Sequence, residues 1–154
     1  MIKLLLVGKT TDKHLETLIS DYQNRLTHYL PFEVKVLPDL KQGKLSFEQQ
    51  KTQEGERILA AVPGNARLIL LDERGTQFRS VEFAEYMQKQ LAATPNIVFV
   101  VGGPYGFSQA VYDRADAMLS LSKMTFSHQM IRLLFVEQLY RAMTILRNEP
   151  YHHE

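Results

Sequence analysis

A segment rich in hydroxyl groups, LSLSKMTFSH at positions 119–128, precedes the last apolar stretch of the chain. Its serine and threonine hydroxyls and its backbone groups could read the edge of an adenine, and Met124 and Phe126 could pack on the ring. Ser127 is placed to cap the helix that follows. The pattern therefore suggests a nucleoside-binding loop, although a helix-entry loop without a ligand has the same pattern.

A second candidate loop, GGPYG at positions 102–106, follows an apolar run that ends at Val101. Its glycines leave backbone without Cβ atoms beside a rigid proline, so a flat ligand could lie against the main chain. A tight turn with positive φ is the alternative. The spacing differs from the G-x-G-x-x-G of dinucleotide sites, and the sequence contains no G-x-x-x-x-G-K-[ST] phosphate loop. The two loops together suggest a nucleoside ligand without a polyphosphate tail.

The last eight residues, RNEPYHHE, contain two histidines and a tyrosine. A frayed terminus is one interpretation, because chain ends are commonly disordered. A metal site is disfavoured, since adjacent histidines point apart, and we predict none. Ser127 and His128 make a poor nucleophile pair, because no G-x-S-x-G elbow is present. The chain has no cysteine, which excludes disulfides and thiol catalysis.

Alternating strand and helix patterns must position these loops. Apolar or alternating runs predict strands at 2–7, 32–37, 67–71, 96–101 and 117–121, and helical spacing predicts helices at 11–30, 46–61, 80–91, 108–114 and 128–147. Such alternation predicts one α/β domain spanning residues 1–154, a parallel sheet with helices on both faces. Ligands bind beyond the carboxyl ends of such strands, so the loops after the third, fourth and fifth strands should be neighbours.

The last predicted helix is apolar over more than half of its circumference. It is either a central buried helix or a helix that pairs in part with a second copy of the chain. A sheet of only five strands offers little surface against which so apolar a helix can be buried, and we therefore favour the dimer.

Net charge and hydropathy limit the classes of partner that the sequence predicts. The chain has 18 Lys and Arg against 17 Asp and Glu, so any nucleic-acid contact must come from a local patch. The short apolar run near the N-terminus is no secretion signal, and no segment approaches the length of a membrane span. We therefore expect a cytoplasmic protein without a membrane partner.

Several motifs occur in an order that resembles one family, the bacterial ribosomal large-subunit pseudouridine N3-methyltransferases of the knotted SPOUT class. They are MIKLLLVGK, YQNRL, EGERIL, VVGGPYGFS, LSLSKMTFSHQMIR, VEQLYRA and the terminal PYH. The resemblance runs nearly end to end. It implies an α/β-knot fold whose C-terminal part threads a deep trefoil knot, an exception to the rule that chains do not thread loops. It also implies an obligate homodimer, in agreement with the apolar last helix.

The same resemblance implies a cofactor and a substrate. The cofactor would be S-adenosylmethionine, and the substrate N3 of a pseudouridine in a stem-loop of 23S rRNA in assembled ribosomes, with no role for DNA. Matching the family pattern residue by residue, the cofactor would touch Leu71, Gly102, Leu121, Ser122, Lys123, Met124, Thr125 and Phe126.

N3 methylation requires that the imide proton be removed while N3 is held in line with the sulfonium methyl. His152 is suited to accept this proton at neutral pH, and Arg132 to stabilise an imide anion or hold phosphate. Tyr151 could stack on an exposed base or simply anchor the tail. Glu137 and Arg141 lie four residues apart, a spacing that favours a mutual ion pair over catalysis.

One position departs from the family pattern, since relatives often carry Arg or Lys shortly after the histidine that matches His152. His153 would grip phosphate only when protonated. His128 either lies beside the cofactor loop or serves packing and capping. Loop position suggests a few cationic residues for RNA contact: Lys9, Lys13, Arg74 and Lys123.

Other functions remain open on the sequence. A related knotted methyltransferase could act on another RNA such as a tRNA, and a ribosome-binding factor could retain the fold without catalysis. A flavodoxin-like module would recognise phosphate at the first loop, VGKTT at 7–11, which lacks the necessary glycines.

Overall fold

The computed structural model describes residues 1–40, 43 and 45–153. The loop predicted between 38 and 46 includes Lys41, Gln42 and Lys44, and the C-terminal segment ends in Glu154; these four lie outside the described residues. The elements are β1 (Ile2–Val7), α1 (Lys13–Leu26), β2 (Phe32–Leu37), α2 (Phe47–Ala61), β3 (Arg67–Gln77), α3 (Ser80–Ala93), β4 (Ile97–Val101), α4 (Gln109–Arg114), β5 (Ala117–Ser120) and α5 (Met130–Leu146).

The five strands form one sheet in the order β2-β1-β4-β3-β5, and every neighbouring pair is parallel. Helices α1, α3 and α5 cover one face of the sheet, and α2 and α4 cover the other. Buried on both sides, β4 is apolar at every position, as expected for a parallel strand between two layers. The prediction of a parallel α/β sheet with helices on both faces is confirmed, and the knot stays a prediction of the resemblance.

Strand β3 is longer than predicted, because it continues through the segment that reads as a loop, Asp72–Gly75. Leu119 of β5 pairs first with Leu71 and, after a bulge, with Thr76. The bulge admits the extra residues while β5 stays paired on both sides of it. Gly75 is required there, because a Cβ would lie 2.6 Å from the Met118 carbonyl carbon.

Side-chain caps fix the starts of several helices. The Asp12 carboxylate accepts the backbone N–H groups of His14 and Leu15 at 2.8 and 3.1 Å, so α1 begins later than predicted. It also ends earlier, at Leu26. The capping box predicted at Ser46 is present, with reciprocal hydrogen bonds to Gln49.

Helix α5 buries one face between α1 and α3. The central side chains of that face, Phe135, Val136 and Leu139, are fully buried. Other apolar side chains of α5 remain partly exposed, and Met130 is 45% exposed. Helix α5 is therefore a buried central helix, as one interpretation of its sequence predicts. It also has an exposed apolar surface, on which the other interpretation, pairing with a second copy, depends. No helix in the described part of the chain has the length and apolar character needed to cross a membrane.

Candidate functional site

A cleft of about 570 Å³ opens at the carboxyl edge of the sheet, where β4 and β5 end beside the 71–74 segment of β3. Its size falls within the roughly 300–1,000 Å³ of small-molecule sites. His128 also lines it. Of the eight residues predicted to touch a cofactor, Lys123 is exposed and does not line the cleft, whereas seven do: Leu71, Gly102, Leu121, Ser122, Met124, Thr125 and Phe126.

The hydroxyl groups of the 119–128 segment are engaged within the protein. Ser120 donates to the Ser122 carbonyl at 2.8 Å, and the Ser122 hydroxyl accepts the Met124 N–H at 3.0 Å. Thr125 donates to the Glu73 carboxylate at 3.0 Å, which ties this segment to the end of β3. These hydroxyls therefore shape the loop, and its main chain and apolar side chains are the surface that a ligand would meet.

The Ser127 hydroxyl accepts the Met130 N–H at 3.0 Å and so satisfies the first backbone donor of α5. The N-cap residue itself is Gln129, two positions later than predicted, and its side chain makes no capping bond.

The glycines of the GGPYG loop serve close packing within the protein. A Cβ on Gly102 would lie 2.9 Å from the Phe107 ring, and one on Gly103 would lie 2.8 Å from a Glu54 carboxylate oxygen. Gly106 has φ +81°, which supplies the positive-φ turn. At 102 and 103 the missing Cβ atoms thus allow close packing of neighbouring protein groups. Both glycines also line the cleft, so contact of a flat ligand with this main chain stays a prediction.

Glu54 supports this loop from helix α2. Its side chain is buried, and its carboxylate accepts the Gly103 N–H at 3.3 Å. Burial raises the pKa of Glu54 above its ordinary value, and the Gly103 N–H opposes this rise only in part. A buried carboxyl group thus links the orientation of α2 to the loop that lines the cleft.

Asp72, Glu73 and Tyr112 line the cleft and were missed as site residues by sequence reasoning. Tyr112 donates its hydroxyl proton to Asp72, and Arg74 pairs with the same carboxylate at 3.3 Å. Burial opposes charge on Asp72, but these partners outweigh it and lower the pKa of the carboxyl. Asp72 is therefore held ionised beside the Arg74 guanidinium, and both groups line the cleft. Two acidic residues at the end of a buried strand were the signal that could have revealed this part of the site.

The C-terminal tail folds back on α5 through a network of four side chains, Glu137, Arg141, Tyr151 and His152. Glu137 accepts hydrogen bonds from Tyr151 at 2.9 Å and from Arg141 at 2.7 Å, so the predicted ion pair is present. Arg141 also bonds the His152 ring at Nδ1, 3.1 Å away, and lies over the Tyr151 ring at 4.8 Å. The described tail is thus ordered, and a frayed terminus is the wrong interpretation of residues 147–153.

The chemistry of this network defines its donors. A guanidinium only donates, so Arg141 is the donor to Nδ1 of His152. Burial, followed by the hydrogen bonds with Tyr22 and Glu137, raises the pKa of Tyr151 well above its ordinary value. The Tyr151 phenol is therefore a hydrogen-bond donor throughout the neutral range.

The tail network and the cleft are separate in one chain. None of the four network residues lines the cleft, which reaches α5 only at Ile131 and, just before the helix, at His128. From Ile131 to Glu137 the helix rises about 9 Å. One described chain therefore does not bring His152 and Tyr151 together with the predicted cofactor residues.

Arg132 lies in neither region. Its side chain is fully buried, and its guanidinium donates to the carbonyls of Val7 at 2.8 Å and Gly8 at 2.9 Å. It also donates to the carbonyl of His128 at 3.1 Å. Burial lowers the pKa of this guanidinium. These bonds join the end of β1 to the start of α5, and the predicted direct contact of Arg132 with substrate stays untested.

Comparison with known proteins connects this architecture to a family. A family model described as a predicted SPOUT methyltransferase matches residues 1–152. Relatives named "Ribosomal RNA large subunit methyltransferase H" are similar over nearly their whole length. The protein of Parabacteroides distasonis is 58% identical over 99% of both chains, and that of Christiangramia forsetii is 58% identical over 99% of this chain and 98% of its own. That of Flavobacterium johnsoniae is 55% identical over 99% of both. This chain belongs to the SPOUT methyltransferase family.

Proposed function

We propose that this protein transfers a methyl group from S-adenosylmethionine to N3 of a pseudouridine in large-subunit rRNA of assembled ribosomes. The observation that carries the proposal is the cleft at the carboxyl edge of the sheet, lined by seven residues that match the family's cofactor positions. Full-length similarity to relatives named as large-subunit rRNA methyltransferases supports the substrate class. The protein would then act in the cytoplasm, as one domain.

The side chains that line the cleft fit this cofactor. S-adenosylmethionine supplies an electrophilic methyl group on a positively charged sulfur. Two carboxylates, Asp72 and Glu73, line the cleft against one guanidinium, Arg74, which favours a cationic ligand. The apolar surfaces of Met124 and Phe126 suit an adenine ring. The glycine-rich loop of the cleft, GGPYG, lacks the spacing of a phosphate-binding loop, in agreement with a ligand that carries no phosphate.

The substrate must lose the N3 proton as the N–CH3 bond forms. We propose that His152 accepts this proton at Nδ1, the nitrogen that otherwise accepts from Arg141. Docking of the substrate would have to displace Arg141 from this nitrogen. Tyr151, held by Glu137 at 2.9 Å, would position the base.

A second copy of the chain is required if the tail and the cleft act on one substrate, because one chain holds them apart. We therefore propose a homodimer in which the tail of one chain completes the cleft of its partner. The partly exposed apolar surface of α5 supports a contact between copies, and Met130 and Leu18 are each 45% exposed. The trefoil knot of the family belongs to the same proposal.

Arg132 is better suited to positioning than to contact with the substrate. It fixes the backbone at His128, which lines the cleft, against the end of β1. We propose that it acts on the reaction only through the orientation of this loop.

The experiment is methyl transfer from labelled S-adenosylmethionine to intact ribosomes, separated subunits and bulk tRNA, all from cells that lack this protein and retain their pseudouridines. The labelled base is then mapped by mass spectrometry. Label on a large-subunit pseudouridine only in assembled ribosomes is the expected result. Label on tRNA would replace the proposed substrate, and cofactor binding without any transfer would favour a ribosome-binding factor.

A further inference from the structure

Two aromatic rings lie exposed at the rim of the cleft, and the proposed chemistry uses neither. Phe47 is 64% exposed and Tyr105 is 43% exposed. Their centroids are 4.4 Å apart and their planes differ by 28°, a stacked arrangement. We refer to this pair as the aromatic platform. Single exposed apolar side chains are ordinary, but a stacked pair that continues a ligand cleft indicates an interaction site.

The platform is held from both sides. Tyr105 belongs to the GGPYG loop, which turns at Gly106 and is fixed to α2 by the bond from Gly103 to Glu54. Phe47 is the first residue of α2, directly after the capping box at Ser46. Both rings are thus presented by elements that already contact each other, so little conformational entropy is lost when a partner binds.

The geometry of the platform points to a nucleobase as its partner. Tyr105 lines the cleft and also stacks on Phe47, which does not line it, so the platform extends from the cleft to its surroundings. A base next to the target in an unpaired loop would meet these rings, and every base has a π-face that stacks on an aromatic side chain. Glu48 is adjacent, but Lys51 pairs with it at 3.3 Å, which reduces its repulsion of phosphate.

We propose that the aromatic platform stacks an unpaired base of the RNA substrate beside the base that enters the cleft. This inference rests on the proposed function and adds a substrate-binding surface to it. Phe47 and Tyr105 bind the RNA and do not touch the reacting atoms, so they act on substrate affinity.

The first test compares Phe47→Leu, which keeps an apolar side chain without a π-face, with Phe47→Trp, which keeps the π-face. One stacking contact is worth about 1–3 kcal/mol, so Phe47→Leu should raise KM for ribosomes by at least about fivefold. The Kd for S-adenosylmethionine and kcat at saturating ribosomes should stay within about twofold of wild type. Phe47→Trp should retain the wild-type KM.

The matched control is Val36→Ala, which changes an exposed apolar residue on β2, at the opposite edge of the sheet, and should leave KM unchanged. A wild-type KM for Phe47→Leu overturns the inference. So does a change in oligomeric mass of this variant by light scattering, because a second copy of the chain would then occupy the platform.

A fluorescence test separates this inference from the proposed function. The chain has no tryptophan, so Phe47→Trp introduces a single one. If the wild type transfers no methyl group to any RNA, the proposed function fails and this variant decides the inference with a single-stranded RNA oligonucleotide as the probe. If the oligonucleotide quenches the tryptophan fluorescence of Phe47→Trp and not that of Val36→Trp, stacking is supported. Equal quenching of the two variants overturns the inference. If the wild type is active and Phe47→Leu has an unchanged KM, only the inference fails.

Discussion

The cleft and the tail network are built by different means. The cleft is formed mainly by strand ends and loop backbone, in which the hydroxyls of Ser120 and Ser122 hold the main chain in place. The tail network consists of side chains, and one of them, Arg141, contacts each of the other three: Glu137, Tyr151 and His152. The cleft is thus shaped before a ligand arrives, whereas the side chains of the network bond to one another and, under the proposed function, would have to exchange partners during the reaction.

This difference indicates a division of labour. Because the backbone of the cleft is already ordered, little conformational entropy is lost when a small ligand binds. If the proposed function is correct, the bond between Arg141 and His152 keeps both side chains from reacting until a substrate displaces one of them. Substitutions in the cleft should therefore change cofactor affinity, and substitutions in the network should change turnover.

The strongest test of this division is His152→Ala. Loss of a proton acceptor should lower kcat by about 10²–10⁴-fold, while the Kd for S-adenosylmethionine stays unchanged. His153→Ala is the matched control, because it removes the exposed neighbouring histidine. Steady-state kinetics on ribosomes and calorimetric titration of the cofactor measure the two quantities. A kcat within a few-fold of wild type would remove His152 from the mechanism.

Arg132→Ala tests whether this cation belongs to the core. The substitution leaves the carbonyls of Val7, Gly8 and His128 without their donor, so the free energy of unfolding should fall by roughly 3–5 kcal/mol. Urea denaturation provides the measurement, and Arg132→Lys should recover part of the loss. Arg25→Ala, which removes an exposed ion pair with Asp21, should change the midpoint little. Wild-type stability together with lost turnover would instead support contact with the substrate.

Gly102→Ala sharpens the comparison from the side of the cleft. The new Cβ would meet the buried Phe107 ring at 2.9 Å, and overpacking of this kind costs about 1–3 kcal/mol. We expect the displaced loop to weaken cofactor binding by about 5–150-fold, with circular dichroism showing a folded chain. Gly64→Ala is the control, since its Cβ would meet no described atom within 4 Å. Equal cofactor affinity for Gly102→Ala and wild type would contradict the placement of the site.

The smallest expected effect concerns the pH dependence of stability. Because its pKa is raised, Glu54 binds its proton more tightly in the folded than in the unfolded chain. The unfolding free energy therefore falls as the pH rises from about 4.5 through the pKa of the folded state. Glu54→Gln removes this dependence. The melting temperature of this variant relative to that of the wild type should therefore increase as the pH rises toward neutral. Glu48→Gln, on an exposed position of the same helix, should not show this trend, and an advantage that shrinks with pH would contradict the assignment.

Local patterns predicted most of the elements. The strands at 2–7 and 32–37 have the predicted bounds, because continuous or alternating apolar character depends only on neighbouring residues. The third strand was predicted too short, since its extension to Gln77 depends on pairing with β5, some forty residues away in the chain. Helix ends shifted where a cap such as Asp12 competed with the helical pattern.

The sequence by itself determined the parallel α/β layers and the three segments that surround the cleft, after Leu71, Val101 and Leu121, because the carboxyl ends of parallel strands meet at one edge of the sheet. Only the tertiary structure decided the partners of the polar groups. It buried Arg132 against β1, brought Tyr112 to Asp72, and directed the glycines at 102 and 103 toward Phe107 and Glu54. These contacts join residues far apart in the chain, so no local pattern contains them. The same long-range packing keeps His152 on Arg141 and away from the cleft in a single chain.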